Sequence, residues 1–253
     1  MNAVIRRIAR ESRDFTALVI QAYVLLFRLR MRRAVVVRQA FELGNRSVVF
    51  IATTMSFIGL IMVLQSGYQA GRLIGDYSLL GPGYIQLLVR EFAPTIGAMM
   101  LATRIGAGIA AELGSMTVTE QIDALRLCGA EPVEELVVPR LAACLVMVPS
   151  LIILAGLFAE IAGMFAARLV FNVPFATFFE LRLLTSGDVI VGAVKAMLFG
   201  AVIPLVSAFA GLSATRGSEG VGQATTRAVI HTSISIIFLD FAVNVLLYPV
   251  YAR

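Results

Sequence analysis

The chain has 253 residues, 59% of them hydrophobic and only 15% charged, with a mean hydropathy of +0.88, a balance too apolar for a soluble domain of this length. Its apolar residues run in long unbroken stretches rather than short alternating strands, so the backbone groups must be satisfied within helices. The fold class is an all-α integral membrane protein, not a barrel. The net charge of +5 is gathered ahead of the first long apolar run, at Arg6, Arg7, Arg10, Arg13, Arg28, Arg30, Arg32, Arg33, Arg38 and Arg46. Beside a membrane this predicts a cytoplasmic N-terminus and anionic lipid headgroups, not nucleic acid, as neighbours.

Taken in order, Phe15, Leu18, Val19, Ala22, Leu26 and Leu29 recur at helical spacing between two arginine clusters. The run is too short to cross and lacks a signal-peptide cleavage pattern, so it reads as an interfacial elbow helix retained in the protein. Residues 1–46 form this basic segment and 47–253 the transmembrane domain. The first span is Ser47 to Gly71, and Arg72 to Gly83 follows as an external loop with a Gly81-Pro82-Gly83 turn. The second span runs from about Tyr84 to Gly114, with Ala98, Ala102, Gly106, Ala110 and Gly114 as a small-residue ridge on which another helix packs closely.

Ser115 to Pro139 reads as a cytoplasmic segment with Thr117 or Thr119 as N-cap of a short helix ending at Leu127. Leu141 to Ala159 is the third span, Arg168 to Asp188 an external aromatic segment, and Val189 to Ala214 the fourth span. Pro149 and Pro204 are predicted kinks. Thr215 to Arg227 reads as a glycine-rich cytoplasmic loop and Ala228 to Val250 as the fifth span, leaving the C-terminus outside. Cys128 and Cys144 have no metal-ligand spacing and are not expected to pair.

Lys195 is the only lysine and follows no phosphate-binding loop; His231 is the only histidine. A nucleotide site, a His-based metal centre and a Ser/His/Asp hydrolase are therefore not expected, and no cofactor or metal is called for. The residues able to carry function are charges at membrane depth: Arg90, Glu91, Arg104, Glu112, Glu160, Lys195 and Asp240. Each is costly in lipid unless it is paired or faces water. If ATP energises the chain, another subunit must bind it; an ion-coupled secondary transporter would instead relay through Glu91, Glu160, Lys195 and Asp240.

The runs Arg90-Glu91-Phe92-Ala93-Pro94, Arg104-Ile105-Gly106-Ala107-Gly108, Ala111-Glu112-Leu113-Gly114-Ser115-Met116, Thr119-Glu120-Gln121-Ile122-Asp123-Ala124-Leu125 and Val138-Pro139-Arg140 closely resemble the MlaE family of ABC-transporter permeases. Gly220-Val221-Gly222-Gln223-Ala224-Thr225-Thr226-Arg227, His231 and Leu239-Asp240-Phe241 resemble the family's C-terminal signature, and the likeness extends from about Phe41 to Tyr251. Ala93 departs from the glycine often found before the proline.

The resemblance implies a homodimeric permease in the inner membrane of a bacterium. Its partners would be a cytoplasmic ABC ATPase dimer, a periplasmic MCE-domain ring and, often, a STAS-domain protein, and its substrate phospholipid. It maps a coupling helix onto residues 117–127, where Thr117, Thr119, Glu120, Gln121, Asp123, Ala124 and Leu125 would meet the ATPase. In such a dimer the first, second and fifth spans are expected to enclose a lipid-sized cavity opening outward, in which Leu60, Val63 and Leu64 hold acyl chains while Gln65, Tyr68 and Arg90 meet the headgroup beside Glu91 at the mouth, an arginine suiting phosphate through paired charge-assisted hydrogen bonds.

Overall fold

The computed structural model describes residues 2–28, 33–73, 75–215 and 217–251, with side chains described for 9–28, 34–73, 75–215 and 217–247. Arg6, Arg7, Arg30, Arg32, Arg33 and Leu29, all invoked above, have side chains outside that set, as does the end of the predicted fifth span. Among the described residues the elements are helical: α1 (Asn2–Phe27), α2 (Arg33–Leu73), α3 (Leu80–Val118), α4 (Gln121–Leu127), α5 (Val133–Phe171), α6 (Phe175–Phe178), α7 (Ser186–Leu212) and α8 (Ser218–Tyr251). Five of them, α2, α3, α5, α7 and α8, are long and apolar enough to cross a membrane.

Several boundaries correct the sequence reading. Helix α2 begins well before Ser47, because Arg38, Glu42 and Arg46 continue the helix, the first two as an ion pair at 3.0 Å one turn apart. Gly81-Pro82-Gly83 is not a turn but the first turn of α3, where a proline costs little since the N–H it lacks would be unpaired anyway. Gly81 is required there: a Cβ would lie 2.1 Å from the carbonyl oxygen of Phe178. Helix α5 runs through the predicted boundary at Arg168 as far as Phe171, and stops where Asn172 takes the left-handed conformation at φ 56°. The predicted loop up to Arg227 is mostly the start of α8, which opens after Gly217 at φ 90°.

Two π turns have a common cause. In Leu88–Phe92 the N–H of Ala93 donates to the Leu88 carbonyl, and the next residue, Pro94, has no N–H for the carbonyl of Arg90. In Val133–Val137 the N–H of Val138 donates to Val133, and Pro139 follows. In each case the residue before the proline reaches five residues back, and the helix widens by one residue. A third π turn, Ala102–Gly106, has no such proline. Pro149 and Pro204 lie inside α5 and α7.

The chain divides into two compact units, to both of which the five long helices contribute. Unit 1 comprises Met1–Leu43, Ala102–Met147 and Gly200–Ser235. Its core includes the α3 ridge, where Ala102, Gly106, Ala110 and Gly114 are all buried and the last three meet α7. The approach is close: a Cβ on Gly106 would stand 2.8 Å from Ser207 Oγ, and one on Gly211 2.9 Å from the carbonyl of Ala110. Arg140 is buried, donating to the Leu136 carbonyl at 2.5 Å and pairing with Glu112 at 2.8 Å, which ties α5 to α3. Helix α1 packs here through buried Leu18 and Ala22, an edge-on Phe15–Phe209 contact at 5.4 Å and a Gln21–Glu131 hydrogen bond of 3.1 Å.

Unit 2 comprises Gly44–Leu101, Val148–Phe199 and Ile236–Arg253. Here α2 lies directly on α5, since a Cβ on Gly59 would fall 2.2 Å from the carbonyl of Ala159. Val63 is buried against Gly163, and the Tyr84 hydroxyl donates to that same Ala159 carbonyl at 3.1 Å.

Candidate functional site

Unit 2 gathers five charges from three apolar helices. The π turn and Pro94 place Arg90 and Glu91 side by side on α3, with Arg90 Nε 3.3 Å from Glu91 Oε1. At the start of α7, Thr185 and Asp188 form a reciprocal cap: the Asp188 carboxylate accepts the Thr185 N–H at 3.0 Å, and Thr185 Oγ1 lies 3.4 Å from the Asp188 N–H. The carboxylate also accepts the Thr185 hydroxyl at 2.8 Å and Gln86 Nε2 at 3.1 Å, and its other oxygen stands 3.6 Å from Arg90 Nη1. Two turns further along α7, Lys195 is wholly buried.

Its ammonium group meets two carboxylates, Glu91 Oε2 at 2.6 Å and Asp240 Oδ1 at 2.9 Å. Neutral side chains complete the network. Thr95, one turn after Glu91, donates to Asp240 at 2.7 Å. Asn244, one turn after Asp240, donates to Glu91 at 3.3 Å and to Asp240 at 3.5 Å. Two cations, Arg90 and Lys195, thus face three carboxylates, Glu91, Asp188 and Asp240. Lys195 is enclosed while Glu91 and Asp240 keep 21% and 19% of their side-chain surface, so the accessible part of the network is acceptor-rich and Arg90 is the accessible cation.

Arg90, Glu91, Lys195 and Asp240 were each singled out by the cost of a charge in lipid, and the structure brings all four together. Glu160 is not among the partners of this network, and Arg104 and Glu112 belong to unit 1. Asp188, Thr95, Asn244 and Gln86 were missed. A signal for Asp188 was present: Thr185-Ser186-Gly187-Asp188 ahead of an apolar run is a capping-box pattern. The others are neutral residues that only tertiary contact singles out.

The remaining predicted residues separate by exposure. On α2, Leu60 and Leu64 are half-buried, Gln65 is exposed, and Tyr68 is 56% exposed with its ring edge-on to Phe171 at 5.5 Å. Val63 instead packs within the core of unit 2. In unit 1, α3 ends at Val118, Glu120 adopts a left-handed φ of 60°, and α4 begins at Gln121. The predicted N-cap is therefore corrected: Glu120 holds that position without a side-chain cap bond. The Thr117 hydroxyl donates to Leu113 and Gly211 carbonyls at 2.8 and 3.3 Å, pinning α3 to α7. Thr119 donates to the Ser115 carbonyl at 2.8 Å and accepts from Gln121 at 3.0 Å. Ile122 anchors α4, Leu125 is half-buried, and Glu120, Gln121, Asp123, Ala124 and Leu127 are exposed, with Asp123 paired to Arg126 at 3.1 Å. Both cysteines are free, Cys128 exposed and Cys144 buried.

Comparison with known proteins identifies the family. Residues 36–246 match the family model described as Permease MlaE. A probable ABC transporter permease protein of Rickettsia felis is 33% identical over 219 residues, covering 86% of this chain and 84% of that protein. A probable ABC transporter permease protein of Synechocystis is 32% identical over 238 residues, covering 90% and 87%. The chloroplast protein TRIGALACTOSYLDIACYLGLYCEROL 1 of Arabidopsis thaliana is 30% identical over 209 residues, covering 82% of this chain and 59% of that protein. With five apolar helices and a family match across residues 36–246, the chain belongs to the MlaE permease family, the membrane-embedded subunits of ABC transporters.

Proposed function

We propose that this permease moves phospholipid between the inner and outer membranes of a bacterial envelope, driven by a separate ATPase. The observation that carries the substrate reading is the charge network of unit 2, a polar site built among apolar helices and open at Arg90, Glu91 and Asp240. An amphiphile with a charged headgroup and acyl chains suits such a site, since the head exchanges hydrogen bonds with the network while the chains stay among apolar side chains. The Arabidopsis relative is named for a lipid, which supports a lipid substrate.

In this reading two copies of the chain assemble in the inner membrane, with the N-terminus cytoplasmic and the C-terminus periplasmic. Helix α1 lies in the membrane interface, residues 1–46 form the interfacial segment, and 47–253 form the permease domain. Leu60, Leu64, Gln65 and Tyr68 of α2 supply the surface along which the lipid passes. Glu120, Gln121, Asp123 and Ala124 form the handle for the ATPase dimer, a periplasmic MCE-domain ring receives or delivers lipid, and a STAS-domain protein binds the ATPase side. Family membership favours this over ion coupling, and Glu91, Lys195 and Asp240 are engaged with one another rather than strung along a relay.

The test is ATP-dependent transfer of a fluorescent phospholipid from proteoliposomes containing the permease and its ATPase to acceptor vesicles. Asp240→Ala is expected to slow transfer at least tenfold. Transfer that proceeds equally without ATP, or no phospholipid movement by the intact complex, refutes the proposal.

A further inference from the structure

A second feature of unit 2 lies outside the charge network. A cavity of about 500 Å³ opens between α3, α5, α7 and the connector that follows α6. Its floor is apolar, formed by Leu88, Ala93, Pro94, Ile152 and Ala196, and its rim carries the exposed side chains Ile153, Leu157, Phe179, Leu181 and Met197. No residue of the charge network lines it. Two close helix packings lie in its lining: a Cβ on Gly192 would fall 2.4 Å from the Val89 carbonyl, and one on Gly156 3.3 Å from Ala93 Cβ.

One lining residue does not fit an apolar cavity. Glu160 is 8% exposed, both its carboxyl oxygens are buried, and neither accepts a hydrogen bond from any described residue. The nearby Tyr84 hydroxyl does not serve it, being committed to the Ala159 carbonyl. A buried acceptor without a donor is costly, and the cost is relieved by whatever brings one. The carboxyl group stands at one end. From Glu160 to Pro149, at the other end of the α5 wall, is about 16 Å along the helix at 1.5 Å per residue.

We propose that this cavity is a lipid site separate from the charge network, taking one alkyl chain along its floor with a hydrogen-bond donor, amine or hydroxyl, on Glu160. The volume falls in the range of small-ligand sites, about 300–1,000 Å³. The polar end and the apolar length together match an amphiphile rather than a purely apolar molecule.

The test uses the full chain purified with its partner subunits in detergent and counts bound lipid by native mass spectrometry. Phosphatidylethanolamine offers an amine donor, phosphatidylglycerol a hydroxyl donor, and phosphatidylcholine of the same acyl composition neither. Wild type is expected to retain one or both donor lipids about tenfold better than phosphatidylcholine, and which of the two is retained identifies the donor. Glu160→Leu should bring all three to the phosphatidylcholine level. Ala193→Phe, at an exposed lining position where a ring fills the mouth without entering the core, should lower retention of all three. Equal retention of phosphatidylcholine and the donor lipids by wild type overturns the role of Glu160. Unchanged retention in Ala193→Phe overturns the site itself.

Discussion

Replacing Lys195 by Met tests the charge network most directly, because the side chain is wholly buried and its ammonium group is shared between Glu91 at 2.6 Å and Asp240 at 2.9 Å. Met fills much of the volume but leaves two carboxylates that had closed on one cation, each about four-fifths buried. Removing one partner of a buried pair costs about 3–5 kcal/mol, most of it the uncompensated charge left behind. At about 2–4 °C per kcal/mol for a domain of this size, the unfolding midpoint in detergent should fall by roughly 6–20 °C. The triple variant Lys195→Met, Glu91→Gln, Asp240→Asn removes the charges along with the cation, keeps acceptors for Thr95 and Asn244, and should recover most of that loss. The assay is thermal unfolding of the purified permease followed by circular dichroism. A midpoint for Lys195→Met within about 2 °C of wild type, the shift of under 1 kcal/mol, refutes the argument, and so does a triple variant no more stable than the single one.

Three further outcomes follow from other parts of the molecule. Glu120→Lys with Asp123→Lys should abolish co-purification of the ATPase while changing permease stability by less than about 0.5 kcal/mol, since both side chains are exposed; an ATPase that still co-purifies removes α4 from the coupling role. Gly81→Ala should destabilise by about 1–3 kcal/mol or more, because its Cβ meets the Phe178 backbone, whereas Gly83→Ala, with nothing within 4 Å, should be neutral or better; chemical denaturation distinguishes them. In the α2–α3 loop the Ser78 hydroxyl and N–H hold the Asp76 carboxyl below its ordinary value of 3.8. A depressed folded value means that this contribution is present above the unfolded value and is lost as pH falls through the folded one. Ser78→Ala should move the Asp76 titration upward toward the ordinary value by NMR, and an unmoved titration counts against the contact.

Much of the fold was legible in the residues because lipid imposes a coarse rule: backbone groups satisfied within helices, and runs of about twenty apolar residues to cross. That rule found five spans and placed Arg90, Glu91, Lys195 and Asp240 among the residues that needed partners. It was poorer at ends. Hydropathy changes sign where lipid ends, but a helix ends where its hydrogen bonds do, so α2, α5 and α8 run past the apolar stretches that announced them. The π turn at Arg90 could have been argued from Pro94, since the missing N–H is written in the sequence. Pro149 and Pro204, which sit in regular helix, show that the proline permits such a turn without requiring it.

By itself, then, the sequence determined class, number of spans, family and the short list of charges too costly to leave in lipid. Tertiary structure decided their pairing. Lys195 lies 104 positions from Glu91 and 45 from Asp240, and no periodicity spans such separations. Only helix packing, set by glycines such as Gly192 against the Val89 backbone, brings these atoms within 3 Å. The same packing buried Val63, recruited Thr95 and Asn244, and left Glu160 facing an apolar cavity without a donor, because burial depends on which neighbours arrive and not on the residue that receives them.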